Sequence, residues 1–425
     1  MKRTGPATQP PAGAGAADIA TLESLAAELL PDVPQLADEF TAHLVASIPE
    51  FQADEDAFWQ ETRSSTEANF DQVMRLVRLG VSPDALVVPV ETAEWVRGLV
   101  RRGIGLPALL RAYRLGHSWL WARWSHTLGA RIPDPDALTA ANEQLSAFLF
   151  AYVDRISDVL VDAYGTERER AARGAKQLRT ETIRAILTGE PIDEEIATRR
   201  LGYDLRRHHL ALRITSTGNT SNWLERAATE AAHAAGLSEP LIATTGHACV
   251  DVWVGCFDTP TPEVLARLEA YQPPEGIAVA VGTTGKGLDG FRASHEQARH
   301  AARIAALSGP RARGVTTYWR IELVSLLAGD LPRARTFVAG RLGPLAATDA
   351  ATERLRDTVL LFLNAGGSAS RTGRELVVHS NTVTYRVKRA EELLGRRVTD
   401  EPVELTCALT LVAVLGTTVL TEDSG

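Results

Sequence analysis

The sequence predicts a multidomain chain of α and α/β class: an N-terminal helical bundle, a central α/β sandwich and an all-α C-terminal domain. Three observations carry that reading. Over residues 18–165 apolar side chains recur at helical spacing almost without interruption. From His209 short β-like runs alternate with helical stretches, and beyond residue 350 the chain returns to short, sharply capped helices. A length of 425 residues is more than one core holds, so several domains are expected.

The opening M-K-R-T-G-P-A-T-Q-P-P-A-G-A-G-A-A has no continuous apolar stretch. Residues 1–17 therefore read as a disordered tail and not as a secretory leader. Helical spacing begins at Leu22, Leu25, Leu29 and Leu30 and returns at Val73, Leu76, Val77 and Leu79. In the turn Gly80-Val81-Ser82-Pro83, Ser82 is placed to cap a helix begun by Pro83. Further helices are expected at 106–127 and 136–164. Trp119, Trp121 and Trp124 stand near His117 and either line a small-molecule pocket or fill the middle of the bundle, and the second is expected. Residues 166–190 are charge-rich and weakly periodic. They suit a connecting helix, either solvated or paired with its copy in a dimer, ended by Gly189-Glu190-Pro191.

The α/β domain is expected over 191–310. Strand-like runs occupy 209–214, 241–244, 248–257 and 277–281, with helices at about 221–235, 262–271 and 290–307. The runs at 241–244 and 248–257, joined by Thr245-Gly246-His247, read as a hairpin. Residues 311–349 are expected to be a linker region with helices, punctuated by Pro and Gly at 309–314 and 341–344, and the last domain spans 350–420. The uncharged stretch 405–420 falls short of the roughly 20 residues a spanning helix needs and is interrupted by threonines. It reads as a buried closing helix, so no membrane partner is expected.

Forty-five Lys and Arg against 53 Asp and Glu give a net charge of −8. That excludes a chain coated with positive charge but not one basic module on an acidic carrier. Cys249, Cys256 and Cys407 are isolated, and His247 beside Cys249 finds no second cluster. Neither a disulfide framework nor a metal or other cofactor is expected, and no catalytic set stands out. Unpaired, inert thiols fit a reducing, cytoplasmic location.

The C-terminal block carries the strongest pattern. A helix over 352–365 is stopped by Gly366-Gly367, Ser368 caps a short helix ending near Val377, and Ser380 caps a longer one running to Gly395. Two capped helices joined by a very short turn suit a helix-turn-helix. In the longer helix Val383, Val387, Ala390 and Leu394 form one buried stripe, while Asn381, Thr382, Tyr385, Lys388 and Arg389 point away and Thr384 and Arg386 flank it. With Ser380, these are the residue types of a helix in a major groove: amide and hydroxyls for base edges or phosphates, cations for the backbone. Between Arg371 and Arg397 seven Lys and Arg face three acids, a local net of +4. The competing reading is a solvated basic face on an ordinary bundle helix. His379, in the turn, is placed to sense pH, to bond a phosphate, or to satisfy a backbone carbonyl, and the last is expected.

The segment L-R-D-T-V-L-L-F-L-N-A-G-G-S-A-S-R-T-G-R-E-L-V-V-H-S-N-T-V-T-Y-R-V-K-R-A-E-E-L-L-G resembles the DNA-binding domain of PucR/CdaR-type regulators. The family pattern V-H-x-N-T-V-x-Y-R is met at Val378, His379, Asn381, Thr382, Val383, Tyr385 and Arg386. Its E-x-L-L-G is met at Glu391, Leu393, Leu394 and Gly395, and V-E-L-T-C-A-L-T-L at 403–411 looks like its final helix. Gly373 departs from the usual Ala, at a cost of about 1 kcal/mol in helix propensity, and Ala390 from a larger aliphatic. The run I-A-V-A-V-G with G-L-D-G-F-R-A-S-H-E-Q-A-R-H-A-A-R-I-A resembles the strand and helix closing the degenerate GGDEF-like domain of that family. The segment G-L-P-A-L-L-R-A-Y-R-L-G-H (105–117) is similar to input domains attached to its actinobacterial members.

The resemblance implies a DNA-binding transcription regulator that binds double-stranded DNA as a homodimer or higher oligomer. It would respond to a small-molecule or protein signal through its N-terminal and central domains. Two other classes stay open: a signalling scaffold without DNA binding, and a nucleotide cyclase relative. The second needs acidic residues holding divalent metal. The turn at 244–248 has no acid, Asp251 stands alone among apolar residues, and the domain therefore reads as catalytically dead. The 282–287 run G-T-T-G-K-G fits neither the spacing nor the ending of a phosphate-binding loop.

Overall fold

The computed structural model describes residues 16–52, 56–216, 223–237, 240–246, 248–309, 312 and 314–420. The expected tail lies outside the described residues except for its last two positions, which open the first helix; His247 lies outside them too. The chain divides into two compact units, Met1–Gln177 and Leu178–Gly425.

Among the described residues the first unit is helical: α1 (Ala16–Leu29), α2 (Val33–Ser47), α3 (Asp56–Arg78), α4 (Val90–Arg101), α5 (Leu106–Arg131) and α6 (Pro135–Thr188), whose residues from Leu178 onward belong to the second unit. Ser82 caps as expected, its hydroxyl accepting the Asp84 N–H at 3.2 Å. It caps only a 3₁₀ turn, Pro83–Ala85, and α4 waits until Val90. Pro89 explains the delay, because the residue before a proline is pushed out of helical backbone. Two of the three tryptophans are packing residues, Trp124 fully buried and Trp119 stacked on Phe70 with centroids 5.8 Å apart, whereas Trp121 is exposed and does not fill the bundle. Helix α6 is one element of 54 residues, so the expected bundle helix and connecting helix are continuous. Between 166 and 181 its side chains are exposed except for the half-buried Glu167 and Arg179.

After the end of α6 the second unit continues with α7 (Glu194–Leu201). A six-stranded sheet follows, built from β1 (His208–Ser216), β2 (Leu241–Gly246), β3 (Cys249–Cys256), β4 (Ile277–Val281), β5 (Gly285–Lys286) and β6 (Val315–Thr317). The helices α8 (Leu224–Ala234), α9 (Pro262–Ala270) and α10 (Gly287–Ser308) pack on it. Strand order is β2-β3-β1-β4-β6 with β5 also on β1; only β4 and β6 run parallel. The period-2 alternation sorts the faces. Leu210, Leu212, Ile214, Val250 and Val252 meet the alanines of α8 and Leu268 of α9. Ala211 and Trp253 point the other way, onto Phe291 and Ala298 of α10 and onto α7. Trp253 lies flat on Phe291, centroids 4.3 Å apart, and its Nε1 donates to the Phe291 carbonyl.

The G-T-T-G-K-G run is a packing device. A Cβ on Gly282 would stand 2.0 Å from the Ser294 carbonyl oxygen, and Gly285 and Gly290 cross at a separation that admits no side chain on either. Glycine is needed there so that α10 can lie close on the face of the sheet, over β1 and β4.

The stretch expected as linker contributes β6 to the sheet and then α11 (Tyr318–Leu327) and α12 (Leu331–Leu342). Four helices close the chain: α13 (Ala350–Asn364), α14 (Ala369–Leu376), α15 (Ser380–Leu394) and α16 (Pro402–Leu415). Residues 402–419 are apolar enough to pass for a membrane span, with mean hydropathy 1.7. Yet Leu405, Leu409, Leu411, Val412 and Leu415 are buried in one core with Val338, Val359 and Val383. The closing helix is therefore a core helix.

Candidate nucleic-acid interface

Three helices of the C-terminal domain, α13, α14 and α15, are started by a side chain; α16 is not. Asp349 caps α13, accepting from the Ala351 and Thr352 N–H groups at 3.0 Å each and from the Thr352 hydroxyl at 2.6 Å. The Thr352 hydroxyl is the largest influence holding that carboxyl below its usual range. At the far end, Gly366 and Gly367 take positive φ and reverse the chain, with Gly367 N–H returning to the Phe362 carbonyl at 2.9 Å. Ser368 then caps α14 through the Arg371 N–H at 3.3 Å, as its position in the sequence implies.

The turn between α14 and α15 is unusually tight. Val377 closes α14 at φ 54° and ψ 46°, the only non-glycine residue with positive φ among the described residues, and its side chain is 89% exposed. The Val378 N–H reaches back to the Gly373 carbonyl at 2.8 Å. A Cβ on Gly373 would stand 2.8 Å from the Val378 carbonyl oxygen. Gly373 therefore suits this turn sterically, beyond its low helix propensity.

The cap of α15 differs from the sequence expectation. His379, not Ser380, is the cap, its Nδ1 accepting the Asn381 N–H at 3.2 Å, and Ser380 is the first helical residue. The imidazole thus satisfies a backbone donor, where a carbonyl partner was expected. Its Nδ1 must be unprotonated to do so.

Along α15, Val383, Val387 and Ala390 are buried and Leu394 is half-buried, so the predicted stripe faces the core. Asn381, Thr384, Tyr385, Lys388 and Arg389 are exposed, Tyr385 by 70%. Ser380, Thr382 and Arg386 are half-buried. Thr384 spends its hydroxyl on the Ser380 carbonyl at 3.1 Å. Arg386 turns one Nη1 back to the Thr358 hydroxyl at 3.3 Å, tying α15 to α13. Arg389 pairs with Glu392 at 2.6 Å across exposed surface, a link weak enough for a phosphate to displace.

Sequence reasoning counted Arg371 and Arg374 as charge and did not place them among the site residues. Both are exposed on α14, the helix packed against α15. Arg396 instead joins Arg341 on Glu401.

In the central domain Asp251 is not alone. It lies in register opposite Arg213, whose Nη1 meets both carboxylate oxygens at 2.9 and 3.2 Å. His295 Nε2 sits 3.2 Å from Oδ2 but off the angle a hydrogen bond needs. Cys249 and Cys256, both half-buried, have thiols pushed up by burial.

Three stretches match known domain families. Residues 34–179 match the N-terminal domain of RsbT co-antagonist protein rsbRD, 188–304 a GGDEF-like domain, and 355–413 the PucR C-terminal helix-turn-helix domain. The chain is 32% identical over 123 residues to the transcriptional activator PmfR of Paenarthrobacter nicotinovorans, covering 29% of this chain and 26% of that protein. It is 40% identical over 78 residues to an uncharacterized protein in the pkwA 5' region of Thermomonospora curvata, covering 18% and 42%. The chain thus spans less than half the length of either curated relative. The crystal structure of a regulator of polyketide synthase expression from Bifidobacterium adolescentis matches at 22% identity and a TM-score of 0.29, over 56% of this chain and 97% of that one. A GGDEF-like domain followed by a PucR C-terminal helix-turn-helix domain fits the PucR/CdaR-type family.

Proposed function

We propose that this protein is a cytoplasmic transcription regulator that binds double-stranded DNA through α15. The observation that carries the reading is the sorting of that helix: a buried Val383, Val387 and Ala390 stripe opposite an exposed row of Asn381, Thr384, Tyr385, Lys388 and Arg389, reached by a short turn from a capped helix. Asn381 and Tyr385 would read base edges, and Lys388 and Arg389 would hold phosphates, with Arg371 and Arg374 of α14 adding backbone contacts. Ser380 and Thr382 sit where an N-terminal helix turn meets a phosphate. Arg386 acts first by fixing α15 to α13.

A single such helix reads few base pairs, so a homodimer on two half-sites is the working form. The exposed 166–181 segment of α6, with Ala171, Ala175 and Leu178 at helical spacing, is the element we assign to pairing. The central domain serves contact or effector binding and not catalysis: its hairpin turn carries no carboxylate, and Asp251 is engaged by Arg213. Signals enter through the N-terminal helical unit.

The test is binding of the purified chain to its own upstream DNA against a scrambled duplex of equal length. Selective binding that collapses in Asn381→Ala/Arg389→Ala supports the reading. Equal, weak affinity for both duplexes by a folded dimer, with or without cell extract, would favour a scaffold.

A further inference from the structure

We propose that the N-terminal unit binds a small organic amine, one ring or a comparable aliphatic body carrying an ammonium group, in a pocket between α1, the end of α3 and α6. The first observation is a carboxylate without a partner. Among the described residues of this unit five acids are half-buried: Glu23, Glu61, Glu67, Asp71 and Glu167. Four of them hold an arginine: Glu61 meets Arg102 at 2.8 Å, Glu67 meets Arg63 at 2.6 Å, Asp71 meets Arg75 at 2.6 Å and Glu167 meets Arg170 at 3.2 Å. Glu23 has neither an ion pair nor a hydrogen bond among the described residues. Taking water from a charge without giving it a partner costs stability, and exceptions of this kind concentrate at functional sites.

This carboxylate stands at an apolar pocket of about 260 Å³. Leu22 of α1, Leu76 and Val77 of α3, and Leu145 and Phe148 of α6 form its walls, and the turn at 80–82 completes it. Gly80 reverses the chain there at φ 59°, and a Cβ on it would stand 3.3 Å from Glu23 Oε1. The bare backbone at that position leaves the carboxylate its place over the turn. Volume decides the size of the guest. An apolar cavity of about 150 Å³ takes up benzene, so this pocket has room for a ring with a short side chain.

The lining decides the charge. No Lys, Arg or His lines the pocket, so an anionic guest would meet Glu23 with no compensating cation. A neutral guest would leave the carboxylate as unpaired as before. An ammonium gives it the partner that the other four acids have in arginine. Phe148 adds an aromatic wall, which favours a cation or a second ring. Gln144 also lines the pocket, and its Oε1 is buried with no hydrogen-bond partner among the described residues. Turning that oxygen toward a second N–H of the guest breaks no bond that it now makes. The Ser82 hydroxyl is already spent on Asp84, donating to Oδ2 at 2.9 Å and accepting from the N–H.

The test uses the full chain and three probes of similar shape, phenethylamine, phenethyl alcohol and phenylacetate, each followed by titration calorimetry and by the shift in Tm. The proposal expects saturable uptake of the amine at one per chain with a raised Tm, weaker uptake of the alcohol and none of the acid. Glu23→Gln should weaken the amine about two- to fivefold, the share of a half-exposed ion pair, and leave the alcohol unchanged. Val81→Phe puts a ring into the pocket and should abolish uptake of both, while circular dichroism and Tm report a folded chain. Should Val81→Phe not fold, Glu23→Gln decides. No saturable uptake of the amine at millimolar concentration, the acid bound as tightly as the amine, equal weakening of amine and alcohol in Glu23→Gln, or wild-type uptake by a folded Val81→Phe chain would overturn it. The readout is binding to the protein alone, so this proposal and the DNA-binding reading fail separately.

Discussion

Replacing Val377 by glycine should stabilise the second unit. A β-branched residue at φ 54° and ψ 46° crowds its Cβ against the backbone, at a cost of about 1–2 kcal/mol that glycine does not incur. The side chain is 89% exposed, so its removal forfeits almost no packing. Against this, glycine gives the unfolded chain more freedom, worth about 0.4–1 kcal/mol. The net is a gain of about 0.5–1 kcal/mol, or a rise of about 1–3 °C in Tm for a unit of this size. Differential scanning calorimetry of the full chain measures it, the transition of the second unit being the one that Arg213→Ala lowers. A Val377→Gly chain whose second unit melts below wild type would mean that Val377 is not left-handed and that the turn is wrongly described. Gly373→Ala supplies the opposite sign: its Cβ would press on the Val378 carbonyl oxygen at 2.8 Å, so a loss of about 1 kcal/mol is expected despite the better helix propensity.

Other perturbations probe the rest of the unit. Arg213→Ala leaves the Asp251 carboxylate, 1% exposed, without its cation and should cost about 3 kcal/mol or more, read as a fall in that unit's Tm. His209 is buried with Nδ1 on the Tyr203 hydroxyl and Nε2 on the Leu205 carbonyl, both at 2.8 Å, and burial lowers its pKa. The unfolded chain therefore takes up the proton first. This contribution is complete above about pH 6.5 and is lost as pH falls below that value towards the depressed folded one. Melting curves at pH 7.5 and 5.5 should show a smaller acid-induced fall in His209→Gln than in wild type; an equal fall contradicts it.

Periodicity was the legible part of this sequence. The stripe of α15 needed only 3.6-residue spacing, and the strand at 277–281 was read to the residue because its apolar run is bounded by Gly276 and Gly282. Strand β6 was not legible: three residues, V-T-T, show no alternation, and pairing with β4 more than thirty positions earlier makes them a strand. The α15 cap was misplaced by one residue because adjacent His379 and Ser380 both carry acceptors. The left-handed Val377 decides which of them stands outside the helix, and nothing in a β-branched residue announces that conformation.

The central claim, that α15 is the surface that reads DNA, is tested most directly by the salt dependence of affinity in two single variants. Affinity for the upstream DNA and for a scrambled duplex is measured over a range of salt concentrations for wild type, Asn381→Ala and Lys388→Ala. If Asn381 meets a base edge, its loss should remove about 1–3 kcal/mol of selectivity and leave the slope of log affinity on log salt unchanged. If Lys388 meets a phosphate, its loss should weaken both duplexes alike and reduce the slope by about 1. Two variants with wild-type selectivity and wild-type slopes would contradict the account and remove α15 from the DNA interface.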